Sequence, residues 1–149
     1  MSDFYDLDDS PAGTGALAPA DLTAAAPELF YGSVDEFVRK HLRYHYRRAV
    51  GRSGRAEYRW RAAWWKSEEA LARLEALWRA WEAARQDPGA GVSDWWLNHA
   101  DRQMSVLLSP SGPFATSEDA NRPGDPLPYT EPPAGYFPPD VQPRDLLAQ

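Results

Sequence analysis

Nine cationic side chains follow one another with a single acid, Glu57, among them: Arg39, Lys40, Arg43, Arg47, Arg48, Arg52, Arg55, Arg59 and Arg61. Tyr44, Tyr46, Tyr58 and Trp60 are interleaved with them. Guanidinium forks match phosphate oxygens, and aromatic faces stack on bases. Such a stretch could track a nucleic-acid backbone or hold an acidic protein partner. The plainer expectation is that these charges pair within the chain, with its acidic ends, or with a protein.

All seven tryptophans lie between Trp60 and Trp96, four of them as the pairs Trp64-Trp65 and Trp95-Trp96. Neighbours on a helix point 100° apart, so one member of each pair is a candidate aromatic contact for a partner. His41, His45 and His99 could in principle gather a metal. Their helical phase instead sets His41 and His45 on the apolar side of their helix, so no metal site is expected. The chain has no cysteine, no Gly-x-Ser-x-Gly, no phosphate-binding Gly-x-x-x-x-Gly-Lys and no His-Glu-x-x-His. Glu68-Glu69 belongs to a helix start and Asp8-Asp9 to a polar tail. No catalytic set and no cofactor are expected.

The totals set the frame. The 149 residues suit one domain and carry a net charge of −6. That charge is unevenly spread: residues 1–30 hold six acids and no base, and residues 115–149 hold six acids and two arginines. Residues 31–114 hold fourteen bases and ten acids, a basic centre between acidic ends. The absence of cysteine, of a signal-peptide pattern and of any run near the roughly 18 apolar residues of a membrane span points to a cytoplasmic protein without membrane contact.

The elements that must position these residues read as helices. Ser33-Val34-Asp35-Glu36 is a capping box, and Val34, Phe37, Val38, His41, Leu42, His45 and Ala49 share one face of a helix expected to reach about Val50. Arg39, Lys40, Arg43 and Arg47 share the opposite face. Residues 55–66 are a connection that periodicity leaves open between an extended piece and a helical turn. A second helix starts at the Ser67 cap and buries Leu71, Leu74, Leu77, Trp78 and Trp81. Its outer side pairs Glu69 with Arg73 and Glu75 with Arg79. A third is expected from Ser93, with Val92 and Leu97 as a hydrophobic staple. Asp101 is expected to cap a further short helix through Leu108, with a strand as the alternative. Phe114 is the last expected core residue.

Residues 1–30 are poor in large apolar groups and read as a disordered acidic tail. Residues 115–149 hold Pro123, Pro126, Pro128, Pro132, Pro133, Pro138, Pro139 and Pro143. That density excludes helix and sheet and favours an extended Pro-rich tail. Within it Tyr129, Tyr136 and Phe137 are either anchors onto the core or exposed ligands for a partner.

The strings Trp64-Trp65-Lys66-Ser67-Glu68-Glu69-Ala70 and Arg73-Leu74-Glu75-Ala76-Leu77-Trp78-Arg79-Ala80-Trp81-Glu82 carry a resemblance. So do Ser93-Asp94-Trp95-Trp96, Asn98-His99-Ala100-Asp101 and Leu107-Leu108-Ser109-Pro110-Ser111-Gly112-Pro113-Phe114. Over residues 31–114 the chain resembles a tryptophan-rich actinobacterial domain-of-unknown-function family found in small proteins of plasmids, phages and integrative or conjugative elements. The resemblance implies no reaction. Family members often place Pro after the position of Asp101, where this chain has Arg102, and often carry Cys or His after Gly-Pro-Phe, which this chain lacks. A metal served by those residues would have no site here.

The expected molecule is mostly α, a small bundle of three to four helices with a disordered acidic N-tail and a Pro-rich C-tail. Its expected role is a non-enzymatic accessory or adaptor protein of a bacterial mobile element, acting on a protein partner. The alternative is a nucleic-acid-binding accessory protein in replication or transfer. The candidate contacts are Arg39, Lys40, Arg43, Arg47, Arg48, Arg52, Arg55 and Arg59, with Trp64, Trp65, Trp95 and Trp96. The oligomeric state is left open.

Overall fold

The computed structural model describes residues 28–54 and 56–138. The described residues from Leu29 onward belong to one compact unit. Among the described residues there are helices and no strand; one isolated bridge joins Val50 to Tyr58. The fold is helical, as expected. The acidic N-tail falls outside the described residues up to residue 27. Its expected boundary at residue 30 does shift: Leu29 packs against the core, and the Phe30 amide is held by Glu82.

Helix α1 (34–45) passes through Val34–Phe37, a π-helical stretch Val38–Leu42 and Arg43–His45. Ser33 Oγ accepts the Glu36 N–H at 3.2 Å, satisfying one of the amides that a helix start leaves without partners. The return arm of the capping box lands one residue early. Glu36 accepts from the Gly32 amide at 2.9 Å. That amide, with Lys40, holds the Glu36 carboxyl below its ordinary range despite partial burial. The helix ends at His45 rather than near Val50, because Tyr46 leaves helical geometry (φ −113°, ψ 68°). Leaving early lets Tyr46 and Val50 both turn inward to full burial. The backbone groups so released find another partner: Asn121 accepts the Val50 N–H and donates to the Arg48 carbonyl.

The connection resolves into a 3-10 turn, Trp64–Lys66, ahead of helix α2, Glu68–Ala84. Ser67 Oγ accepts the Ala70 N–H at 3.2 Å. Leu74, Leu77, Trp78 and Trp81 are buried on the expected stripe, with Leu71 at its edge. The Glu69–Arg73 and Glu75–Arg79 pairs form on the outside, at 2.9 and 3.8 Å. Exposed pairs of this kind add only a few tenths of a kcal/mol, about 0.3–0.5 each.

Helix α3 (91–107) is continuous through Gly91–Asp94, a π-helical stretch Trp95–Ala100 and Asp101–Leu107. It starts two residues before the expected Ser93 cap, and Asp101 caps nothing because the helix runs straight through it. The hydrophobic staple is not made: Val92 lies within the helix, and both it and Leu97 are exposed. The reason for the early start is Gly91. A Cβ there would sit 2.3 Å from the Ala84 carbonyl oxygen, so only glycine lets α3 begin against the end of α2.

Two features close the core. Glu82 is buried, and its carboxylate accepts four hydrogen bonds: from the Phe30 and Tyr31 amides, the Trp78 indole and Arg85 Nε, all at 2.9–3.0 Å. Burial alone would raise its pKa; these donors outweigh burial and lower it. The second feature corrects the expected domain boundary at Phe114. Residues 115–138 run over the domain as a strap, and Leu127 within it is fully buried. Prolines exclude regular structure, but they do not prevent a chain from packing when its carbonyls meet donors.

Two variants test this packing. Gly91→Ala must displace backbone at the α2–α3 junction and is expected to lower unfolding free energy by about 1–3 kcal/mol in denaturant titration. Glu82→Gln puts a donor against donors inside the core, and its expected loss is about 1–3 kcal/mol in the same measurement.

Candidate functional site

The basic stretch of the sequence meets the strap, and four of its nine cations, Arg43, Arg47, Arg52 and Arg61, donate to it. Arg43 Nε donates to the Leu127 carbonyl at 2.9 Å, and its guanidinium lies 4.9 Å from the centre of the Tyr44 ring. Arg47 Nη1 donates to the Gly124 carbonyl at 2.9 Å. Arg52 donates to the carbonyls of Ser117 and Ala115, and Arg61 to Thr116 Oγ1 at 3.0 Å. Arg59 turns to the Gly51 carbonyl at 2.6 Å. Pairing within the chain was the plainer expectation, but the acceptors of Arg43, Arg47 and Arg52 are backbone carbonyls of the C-terminal segment, not its carboxylates. Hydrogen bonds from a cation to a carbonyl are shorter and stronger than neutral ones.

The remaining cations are placed differently. Arg39 approaches Asp35 at 3.7 Å and Lys40 contacts Glu36 at 3.0 Å. Arg48 is exposed, with its guanidinium 5.3 Å from the centre of the Tyr46 ring. Arg55 lies outside the described residues. The candidate set therefore does not form one free basic face.

The tryptophan pairs divide unevenly. Trp64 and Trp65 are both buried, because a 3-10 turn presents them to the core while the strap covers their outer side. Phe137 stacks on Trp64 (5.6 Å, 21°), and Tyr136 leans on Trp65 at 5.1 Å. Tyr129 donates to Asp35 at 2.8 Å. Of the two readings of these tail aromatics, the anchoring one is observed. Trp95 is buried, its indole donating to the Leu77 carbonyl at 3.1 Å. Trp96 alone among the four is only half-buried. The wider π turn carries it beside Tyr46 (5.5 Å) and His45 (6.1 Å).

A row of rings links the two π stretches. His41 stacks between Phe37 (5.4 Å) and His45 (4.2 Å) and touches Trp81 at 4.7 Å. Tyr31 shares a hydrogen bond with His41 Nδ1 at 3.2 Å. His45 Nδ1 lies 2.7 Å from the His41 carbonyl, so that nitrogen carries the proton. His45, expected on the apolar side, is exposed at the rim. Burial, helped by the charge of His45, lowers the His41 pKa from 6.5 to about 4. Among the described residues no group of three or more His, Cys, Asp or Glu side chains is placed to hold a metal, and His99 does not join the pair.

The phenols are set away from reactivity. Tyr46 donates to Asp101 at 2.8 Å, and burial with that carboxylate raises its pKa. Burial and Asp35 do the same for Tyr129, and burial with Glu36 and Glu82 for Tyr31.

Sequence reasoning missed Glu82, Ser117, Asp119, Asn121 and Leu127. Ser117 Oγ donates to the Trp60 carbonyl and Asp119 accepts the Ala62 amide. The one available signal was Leu127, the single branched aliphatic residue of 115–138, set between two prolines.

Because the folded-state pKa of His41 lies below its unfolded value, the unfolded chain binds the extra proton. Stability contributed by neutral His41 is present above pH 6.5 and drains away as pH falls toward 4. Melting temperature measured across that window is expected to fall more steeply for the native chain than for His41→Phe; parallel curves would contradict this.

A family model described as a domain of unknown function (DUF4913) matches residues 31–133, a span that takes in α1, α2, α3 and most of the strap. Searches of curated proteins and of solved structures gave no significant match. Among the described residues no helix is long and apolar enough to cross a membrane. With well over half of its length covered by that model, helices and strap together, the chain belongs to the DUF4913 family.

Proposed function

We propose that this chain is a non-enzymatic adaptor that works through protein–protein contact, as an accessory protein of a bacterial mobile element. One observation carries the contact reading: the arginines whose spacing suits phosphate are hydrogen-bonded to the chain's own backbone. Arg43, Arg47, Arg52 and Arg59 each hold a carbonyl of the same chain. Exposed apolar groups are available for such a contact. Leu97 is 63% exposed and Val92 40%, on the helix that also presents the half-buried Trp96. Exposed apolar and aromatic side chains are common material of protein interfaces.

The lack of a recognisable catalytic motif in the sequence supports a non-enzymatic role. The mobile-element setting rests on the resemblance of the tryptophan strings to small proteins of plasmids, phages and conjugative elements, and a cytoplasmic location on the lack of cysteine. The nucleic-acid reading keeps one point in its favour: Lys40, Arg47 and Arg48 are exposed along and just beyond α1.

Crosslinking of a partner in the native host, followed by mass spectrometry, separates the two readings. The expected partner is a protein whose capture survives moderate salt and drops at least about tenfold for Leu97→Asp, a loss of about 1.4 kcal/mol. A steeply salt-dependent gel shift with nucleic acid, abolished by Arg47→Glu with Arg48→Glu, would replace this reading with the other.

A further inference from the structure

The strap is held in the way that an aromatic groove holds a proline-rich peptide. Three donors from the domain meet three of its carbonyls: Arg43 Nε at Leu127, the Trp60 indole at Pro128 and the Trp65 indole at Thr130, at 2.9–3.0 Å. The Leu127 amide returns a bond to the Arg43 carbonyl, and the Thr130 amide one to the Ala62 carbonyl. Leu127 fills a socket and is fully buried between Pro126 and Pro128. Proline has no N–H that would need an acceptor, and its fixed φ limits the entropy lost on binding. Indole and guanidinium donors aimed at carbonyls, with one side-chain pocket, are how proteins read extended proline-rich segments.

We propose that this groove is a binding site for an extended proline-rich peptide, filled here by the chain's own Pro126-Leu127-Pro128-Tyr129 and able to take a matching segment from a protein partner. The recognition is mostly of main chain, so the required sequence is short: a leucine between prolines, then a tyrosine whose hydroxyl reaches Asp35. The strap enters the groove through a turn whose residues Arg122, Pro123, Gly124 and Asp125 are all exposed, with Gly124 at φ +89°. Held by this short tether, the strap competes at an effective concentration on the order of millimolar, so a partner segment must displace it. The inference rests on the reading of the chain as a protein-contact module. It involves neither Leu97 nor nucleic acid, so either can fail alone.

The test nicks the full chain. A protease site is inserted between Gly124 and Asp125, cut, and the nicked protein mixed with a fluorescent peptide of residues 125–138. The peptide is expected to exchange for the cut strap while the helical circular-dichroism signal stays constant. Peptides with Leu127→Asp or Tyr129→Phe are expected to bind at least about tenfold more weakly. A peptide keeping only Pro-Leu-Pro-Tyr in foreign flanks is expected to compete. No uptake by a nicked chain that stays helical would overturn the proposal. Loss of helix with loss of the strap would also overturn it, by making the strap part of the fold rather than a ligand. Uptake of the chain's own segment without competition by the foreign-flank peptide would reassign the groove to exchange between copies.

Discussion

Buried N–H groups must find acceptors, and in this chain the helices have few to spare. The segment from Arg43 to Trp65 brings indole and guanidinium donors to the domain surface faster than local structure can satisfy them. The strap's backbone carbonyls meet that demand. An unpaired donor at those depths would cost about 1–3 kcal/mol each. This one requirement accounts for several features together. It draws a proline-rich segment onto the domain, lets Trp60 and Trp65 be buried with their indoles satisfied, and takes up the backbone that α1 releases at Tyr46; the buried Trp64 indole N–H and Arg59 Nε meet no acceptor among the described residues.

What was legible in the sequence was local. Ser33 and Ser67 cap the helices they announce, and Trp78 and Trp81 continue the leucine stripe of α2. Those features depend on neighbours within one turn, so spacing reveals them. The strap depends on carbonyl oxygens, which every residue has and which leave no mark on composition. The same is true of Gly91, whose role is set by the Ala84 carbonyl of another helix. The π stretches in α1 and α3 are also tertiary in origin. They fall where Phe37 and His41 meet Trp95, and they rotate Trp96 toward Tyr46. A periodicity fixed at 100° per residue carries helix α1 past its true end, because the turn-out at Tyr46 that buries Tyr46 and Val50 is likewise set by the rest of the domain.

The candidate site was half legible. Several of the arginines and tryptophans picked out by type, Arg43, Arg47, Arg52, Trp60 and Trp65, make long-range contacts within the chain. Their partner was not visible, because charge patterning suggested carboxylates where the structure uses carbonyls. That substitution matters for function. An arginine paired with a mobile acid can be released to a phosphate, whereas one that satisfies a buried backbone is structural. The proposed contacts are therefore the exposed apolar side chains of α3 and the groove that the strap fills.

The most direct measurement is hydrogen exchange of the individual indole protons by NMR. Trp95, bonded within the helices to the Leu77 carbonyl, provides the internal reference. If the strap holds these donors, the Trp60 and Trp65 protons exchange far more slowly than free indoles, through release of the strap, and no more slowly than that of Trp95, which needs the helices to open. If Trp60 and Trp65 exchange like free indoles while Trp95 stays protected, the strap does not hold these donors, and the central claim fails.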